Sequence, residues 1–298
     1  MKRISRAHIT NLFDPAAAPC AEITTGEELT FETLDALGGR VKTHADALSV
    51  MIPHELGNPA TGPVAVAGAR PGDTLAVAVQ EIRLGDFGYG RVKGGGVIFD
   101  ELRPPVAKLT PIRAGLVHFN ERLRFPARPM VGVLGVAPAG PAAHTFFPGA
   151  HGGNLDINEL GVGATIYLPV AVPGALLALG DVHASMGDGE LNGGGLDIDA
   201  EVTVKVAVLS GLGWPRPVIE TADAWCTCAN APTLQAAIRQ ACSDMTTLLA
   251  RRLDISREEA FILIGAAGDA RIGQSAGLPG VDATAYLRVS KTILPSAF

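Results

Sequence analysis

Residues 144–190 read HTFFPGAHGGNLDINELGVGATIYLPVAVPGALLALGDVHASMGDGE. Two polar clusters flank an apolar middle. The first supplies His144, His151, Asn154, Asp156 and Glu159, and the second Asp181, His183, Asp188 and Glu190. The middle holds two short apolar runs, 164–170 and 175–179, separated by Pro173 and Gly174. That is the pattern of two strands joined by a turn, and such a turn would bring both clusters to a common sheet edge.

Side chains alternate faces along an extended segment. Asn154 with Asp156, Asp181 with His183, and Asp188 with Glu190 are therefore each expected to project to one side. Carboxylates and imidazoles so paired can hold a divalent cation or move protons, and the glycines around them let backbone approach closely. A single Asp-x-His pair reads equally well as a hydrogen-bonded turn. Glu159 reads as a solvated turn residue, and His144 as a lining of the entrance.

Outward from this stretch the chain is rich in strands. Residues 75–79 follow a Pro-Gly-Asp turn, and 131–136 form another buried-strand pattern. In 201–208, valines at 202, 204, 206 and 208 share one face while Glu201, Thr203 and Lys205 take the other. The C-terminal part differs. Leu234, Ile238, Ala241, Met245 and Leu248 recur at helical spacing within 233–253, and Ser256 with Glu259 is a capping-box signature for a second helix through Ile264; 284–289 reads as a last strand. The expectation is an α+β fold, predominantly β, of sandwich- or barrel-like modules with a helical C-terminal part. It divides into 1–63, an N-terminal part of a β domain; 64–210, a central β-rich domain carrying the site; and 211–298, an α+β domain.

The 298 residues are 47% hydrophobic and 18% charged, with 36 glycines and 21 prolines, which suits a globular chain of many turns. A formal charge of −6 without a basic run argues against nucleic acid and anionic membranes as partners. No signal-like apolar core follows the basic N-terminus and no run is apolar enough to span a bilayer, so a cytoplasmic protein is expected. The four cysteines, Cys20, Cys226, Cys228 and Cys242, form no metal or redox motif and are expected as free thiols. The glycines at 94–96 lack the lysine of a phosphate loop; an ordinary loop or a flap over the site are both open.

The motifs HGGNLDI (151–157), LPVAVPGAL (168–176), GDVH (180–183) and GDGE (187–190) closely resemble the acetamidase/formamidase family. FETLDALGG (31–39), NPATGP (58–63), GARPGDTL (68–75), VGVLGVAP (131–138), SREEA (256–260) and GDARIGQ (268–274) extend the likeness over nearly the whole chain. The resemblance implies a hydrolase of short aliphatic amides, such as formamide and acetamide, that yields a carboxylate and ammonia. It also implies that Glu32 or Asp35, otherwise a structural capping pair, reaches the site as a second carboxylate, with Asp35 the candidate. Departures cluster nearby: Asn192 stands where a cysteine is frequent, Asp197 where a glutamate is, and Met186 where a glutamine is usual.

No serine or cysteine here has the lysine partners that a covalent amidase uses, which leaves activated water. The expected metal ligands are His151, Asp156, Asp181 and His183, around a divalent ion. Zinc or manganese suits mixed donors, and calcium an all-oxygen set. Asp188 or Glu190 would then carry protons, and Asn154 with the amides of Gly152 and Gly153 would hold the oxyanion. A small amide is the expected partner, with a homo-oligomer, dimer or larger, permitted by the surface composition. Another small carbon-nitrogen compound as substrate, or a non-catalytic metal-stabilised binding protein, are the alternatives.

Overall fold

The computed structural model describes residues 2–51, 53–93, 95–102, 105–275 and 280–298. Among these, the strands form a nine-stranded sheet and a twelve-stranded one, with a two-stranded ribbon beside them. The fold is α+β and mostly β. The first sheet takes strands from Lys2–Ile4 at one end of the chain to Ala283–Ser290 at the other, and the second gathers those of the middle.

Alternation along the strands explains the layering. In Thr74–Leu84, Leu75, Val77 and Val79 point into a core shared with Val64, Val131, Leu134, Leu177 and Leu179 of the second sheet, while Ala76 faces outward. Val202, Val204 and Val206 of Ala200–Leu209 are fully buried in the same core, each contributing about 1.5–3 kcal/mol by leaving water. Thr165–Pro169 buries Ile166 and Leu168 inward and Tyr167 outward, and Ala224–Ala231 does the same with Cys226, Cys228 and Trp225. The outward set packs on two helices, Leu234–Leu253 through Ala241, Met245 and Leu249, and Arg257–Ala267 through Ala260 and Ile264. Sheet, sheet and helices thus form three layers.

The helix ends follow the sequence. Thr233 caps the first helix by accepting from the Ala236 amide, and Ser256 and Glu259 close a capping box on the second. Gly268 ends that helix and starts the Gly268–Ile272 strand, which pairs with Ala283–Ser290. No helix of the described residues is long and apolar enough to cross a membrane.

The expected hairpin at Pro173–Gly174 does not form. Thr165–Pro169 pairs with Thr74–Leu84 and Val218–Glu220 in the first sheet, whereas Leu177–His183 pairs with Met130–Gly135, Ala60–Val66 and Asp197–Ile198 in the second. Gly174, Ala175 and Leu176 hold φ of 75°, 58° and 62° in succession, and these left-handed steps carry the chain from one sheet to the other. The polar clusters meet for a different reason. Met130–Gly135 pairs with Gly152–Asn154 on one side and with Leu177–His183 on the other. A single central strand therefore sets Asp156, just past the first neighbour, beside Asp181 on the second.

Candidate active site

Asp156, Asp181 and His183 each offer a ligand atom within 4.8 Å of the other two, and all three are buried. Asp181 and His183 share a face of their strand, and His183 is paired across the sheet with Asp197, whose Oδ1 lies 3.3 Å from Nε2. Asp181 Oδ1 is 3.6 Å from the same nitrogen, too far for a good hydrogen bond. Gly132 makes the approach possible: a Cβ there would lie 2.5 Å from Asp156 Oδ1 and 2.8 Å from the Asp181 carbonyl. Gly195 does the same beneath the His183 ring, where a Cβ would come within 2.7 Å of Cγ and Nδ1.

Asp181 and His183 open onto a cavity of about 560 Å³, with Asn58, Asn154, Glu190, Asp197 and Gln274 also on its wall. Asn58 Nδ2 donates to Asp181 Oδ2 at 2.8 Å and to Asn154 Oδ1 at 3.1 Å, and Gln274 Nε2 donates to the Asn154 carbonyl at 2.7 Å. Four of these residues, Asn58, Asp156, Asp181 and Glu190, hold φ of 47–48°. Asparagine and aspartate tolerate the left-handed region, whereas a glutamate there is strained, and Glu190 is the member for which such strain points to a functional site.

The electrostatics are unbalanced. Burial first, then the neighbouring Asp181, pushes Asp156 up to about 7; burial and the other acids push Asp197 up to about 7 and Glu190 well above the usual carboxylate range. Burial works against protonation of His183, but the adjacent carboxylates of Asp181, Asp197 and Asp156 outweigh it and raise its pKa. Both oxygens of Asp156, Oδ1 of Asp181 and Nδ1 of His183 are buried without a hydrogen bond among the described residues. Orphaned buried carboxylates are costly, and a cation among them would relieve that cost. Two carboxylates and an imidazole are a donor set that fits a divalent transition metal with an open position.

The other candidates fall as follows. His151 is buried against Phe13, ring centroids 5.1 Å apart, and lies outside the close group; its burial alone lowers its pKa to about 4, with no acid contributing. Asp188 is not beside Glu190, because Gly189 at φ 93° and Glu190 at 48° make a turn in which strand alternation does not apply. Its carboxylate accepts from Asn158 and Tyr286 and faces Arg271. Asp35 follows the Glu28–Thr33 strand in a loop rather than a helical turn; it is buried, accepts from the Leu37 and Gly39 amides and from the Tyr89 hydroxyl, and does not line the cavity. Glu32 pairs with Arg3 at the surface. His144 and Glu159 are partly exposed, the latter beside Arg288. Gly95 lines the cavity, and Gly94 is outside the described residues. Asn192 lines it as well, while Met186 is buried in an adjoining, more apolar groove that shares Arg91, Glu190 and Asn192 with the cavity.

Asn58, Asp197 and Gln274 lie on the cavity wall without standing among the site residues expected from the sequence. Asn58 opens, and Gln274 closes, a family-like segment, which was the available signal. A family model described as the Acetamidase/Formamidase family matches residues 2–141 and 138–291. The chain belongs to the acetamidase/formamidase family. It is similar to the crystal structure of an acetamidase from Bacillus halodurans, at 39% identity and a TM-score of 0.94 over 98% of each chain. It is also 27% identical to an acetamidase of Mycolicibacterium smegmatis, over 67% of this chain and 66% of that one. A formamidase of Methylophilus methylotrophus is 25% identical over 67% of this chain, which spans 64% of that enzyme's length.

Proposed function

We propose that this chain hydrolyses short aliphatic amides to a carboxylate and ammonia, using water attacked onto the carbonyl at a metal centre held by Asp156, Asp181 and His183. The observation that carries the reading is the buried, hydrogen-bond-starved trio, of which Asp181 and His183 open onto the cavity, in a chain whose relatives are named acetamidase and formamidase. When bound, the ion supplies Lewis-acid polarisation and lowers the pKa of water. The mixed nitrogen and oxygen donors favour zinc, with manganese the alternative, and His183 disfavours calcium.

The chain's own residues do the rest. Glu190, on the cavity wall, is the group that would take a proton from the attacking water and deliver it to the departing nitrogen; burial and the neighbouring acids raise its pKa, which suits it to holding that proton for the delivering step. Asn154 accepts through Oδ1 from Asn58, so its amide hydrogens are turned to the carbonyl oxygen as it gains charge. Asn58 fixes Asp181, and Asp197 orients the His183 ring from across the sheet.

The test is ammonia release from formamide, acetamide and propionamide before and after chelation and dialysis. Turnover should fall at least about 100-fold and return with zinc or manganese. Undiminished turnover in metal-free protein removes the metal from the mechanism.

A further inference from the structure

The cavity is far larger than a formamide-sized substrate requires. At roughly 30 Å³ per water-sized group, an amide of a few such groups fills on the order of a fifth of 560 Å³. Its wall also carries two cations, Arg91 and Lys93, beside the apolar Leu37, Phe146 and Phe147. Asp197 is paired with Tyr89 on the Phe87–Val92 strand. Arg91, two residues further on, lies on the same face roughly 7 Å along. The positive charge is thus displaced from the acids by one pleat repeat.

Lys93 is tethered, its amine donating to the Leu48 carbonyl. The half-buried Arg91 is not: among the described residues its guanidinium has no ion pair and no hydrogen bond, although its charge acts at a distance on Asp197 and Tyr89. Arg91 stands where the cavity meets the adjoining apolar groove, and a planar fork of donors there without a partner is suited to a carboxylate, which it binds bidentately. Its other conceivable role is that of a remote counter-charge to the buried acids.

We propose that Arg91 is a specificity residue and that the preferred substrate is an amide whose acyl chain ends in a carboxylate, a monoamide of a short dicarboxylic acid. The inference rests on the amide-hydrolase reading and deepens it. Arg91 holds the distal carboxylate, the methylenes lie along Leu37 and the phenylalanines, and the amide reaches Asn154 and Glu190. The C–N bond breaks, a C–O bond to the water oxygen forms, and both protons of that water end on nitrogen, leaving a dicarboxylate and an ammonium ion.

The experiment compares kcat/KM for succinamate, glutaramate and adipamate with that for butyramide, valeramide and hexanamide on the metal-loaded full chain. At least one acidic amide should exceed its neutral counterpart by about tenfold or more, chiefly through KM. Arg91→Gln should bring that ratio to about one, and Arg91→Lys should retain part of it. Indifference to the carboxylate, or an equal loss on both series in Arg91→Gln, overturns the inference while leaving the amidase reading in force. If neither series is hydrolysed while acetamide is, the inference falls and the amidase reading stands; failure on acetamide as well overturns both.

Discussion

Glu190 and Asp188 are separated by one glycine and meet different surroundings. Glu190 is buried at the cavity, and Asp188 is engaged by Asn158, Tyr286 and Arg271. If Glu190 carries the proton, Glu190→Gln should lower kcat by about 10²–10⁴-fold, while Asp188→Asn should change it by no more than a few-fold. Equal losses in steady-state assays would mean that the proton carrier has been misassigned. Asn58 acts through others, so Asn58→Ala should weaken metal affinity by about 10–100-fold, read by competition with a chromophoric chelator. Unchanged affinity would leave Asn58 without its orienting role.

At the scale of elements, the capping box at Ser256 and Glu259 is exposed and local, so its contribution should be separable from the site. Ser256→Ala should cost about 1 kcal/mol in denaturant unfolding with turnover unaltered; a loss of activity would show that the helical layer and the site are coupled. Elements of this kind were the most legible, because caps, the valine strand at 200–209 and the apolar helix face are written in local spacing. The link at 173–176 was not. Two apolar runs around a Pro-Gly pair describe a hairpin and a crossover between sheets equally well, and the choice depends on left-handed steps at Ala175 and Leu176, which their side chains do not advertise. The site follows the same division. Asp156, Asp181, His183, Asn154 and Glu190 all come from one quoted stretch. Asn58, Asp197 and Gln274 join it only through pairings that span the chain, and His151 drops out of the group because its ring packs on Phe13.

For the molecule as a whole, an ion held among the unpartnered acids, as proposed, would contribute to the fold's stability as well as to its chemistry. A ligand at about 1,000 times its dissociation constant adds ~4 kcal/mol to the folded state. Chelation should therefore lower Tm by on the order of 10 °C, with recovery when zinc returns. A melting curve indifferent to metal would indicate that protonation alone settles Asp156 and Asp197 in the interior.

Anomalous diffraction at the zinc edge from crystals of the metal-loaded protein decides whether an ion sits among the three buried groups. One dominant peak is expected, bonded to Asp156, Asp181 and His183. A peak elsewhere, or none in protein that still hydrolyses acetamide, would contradict that placement.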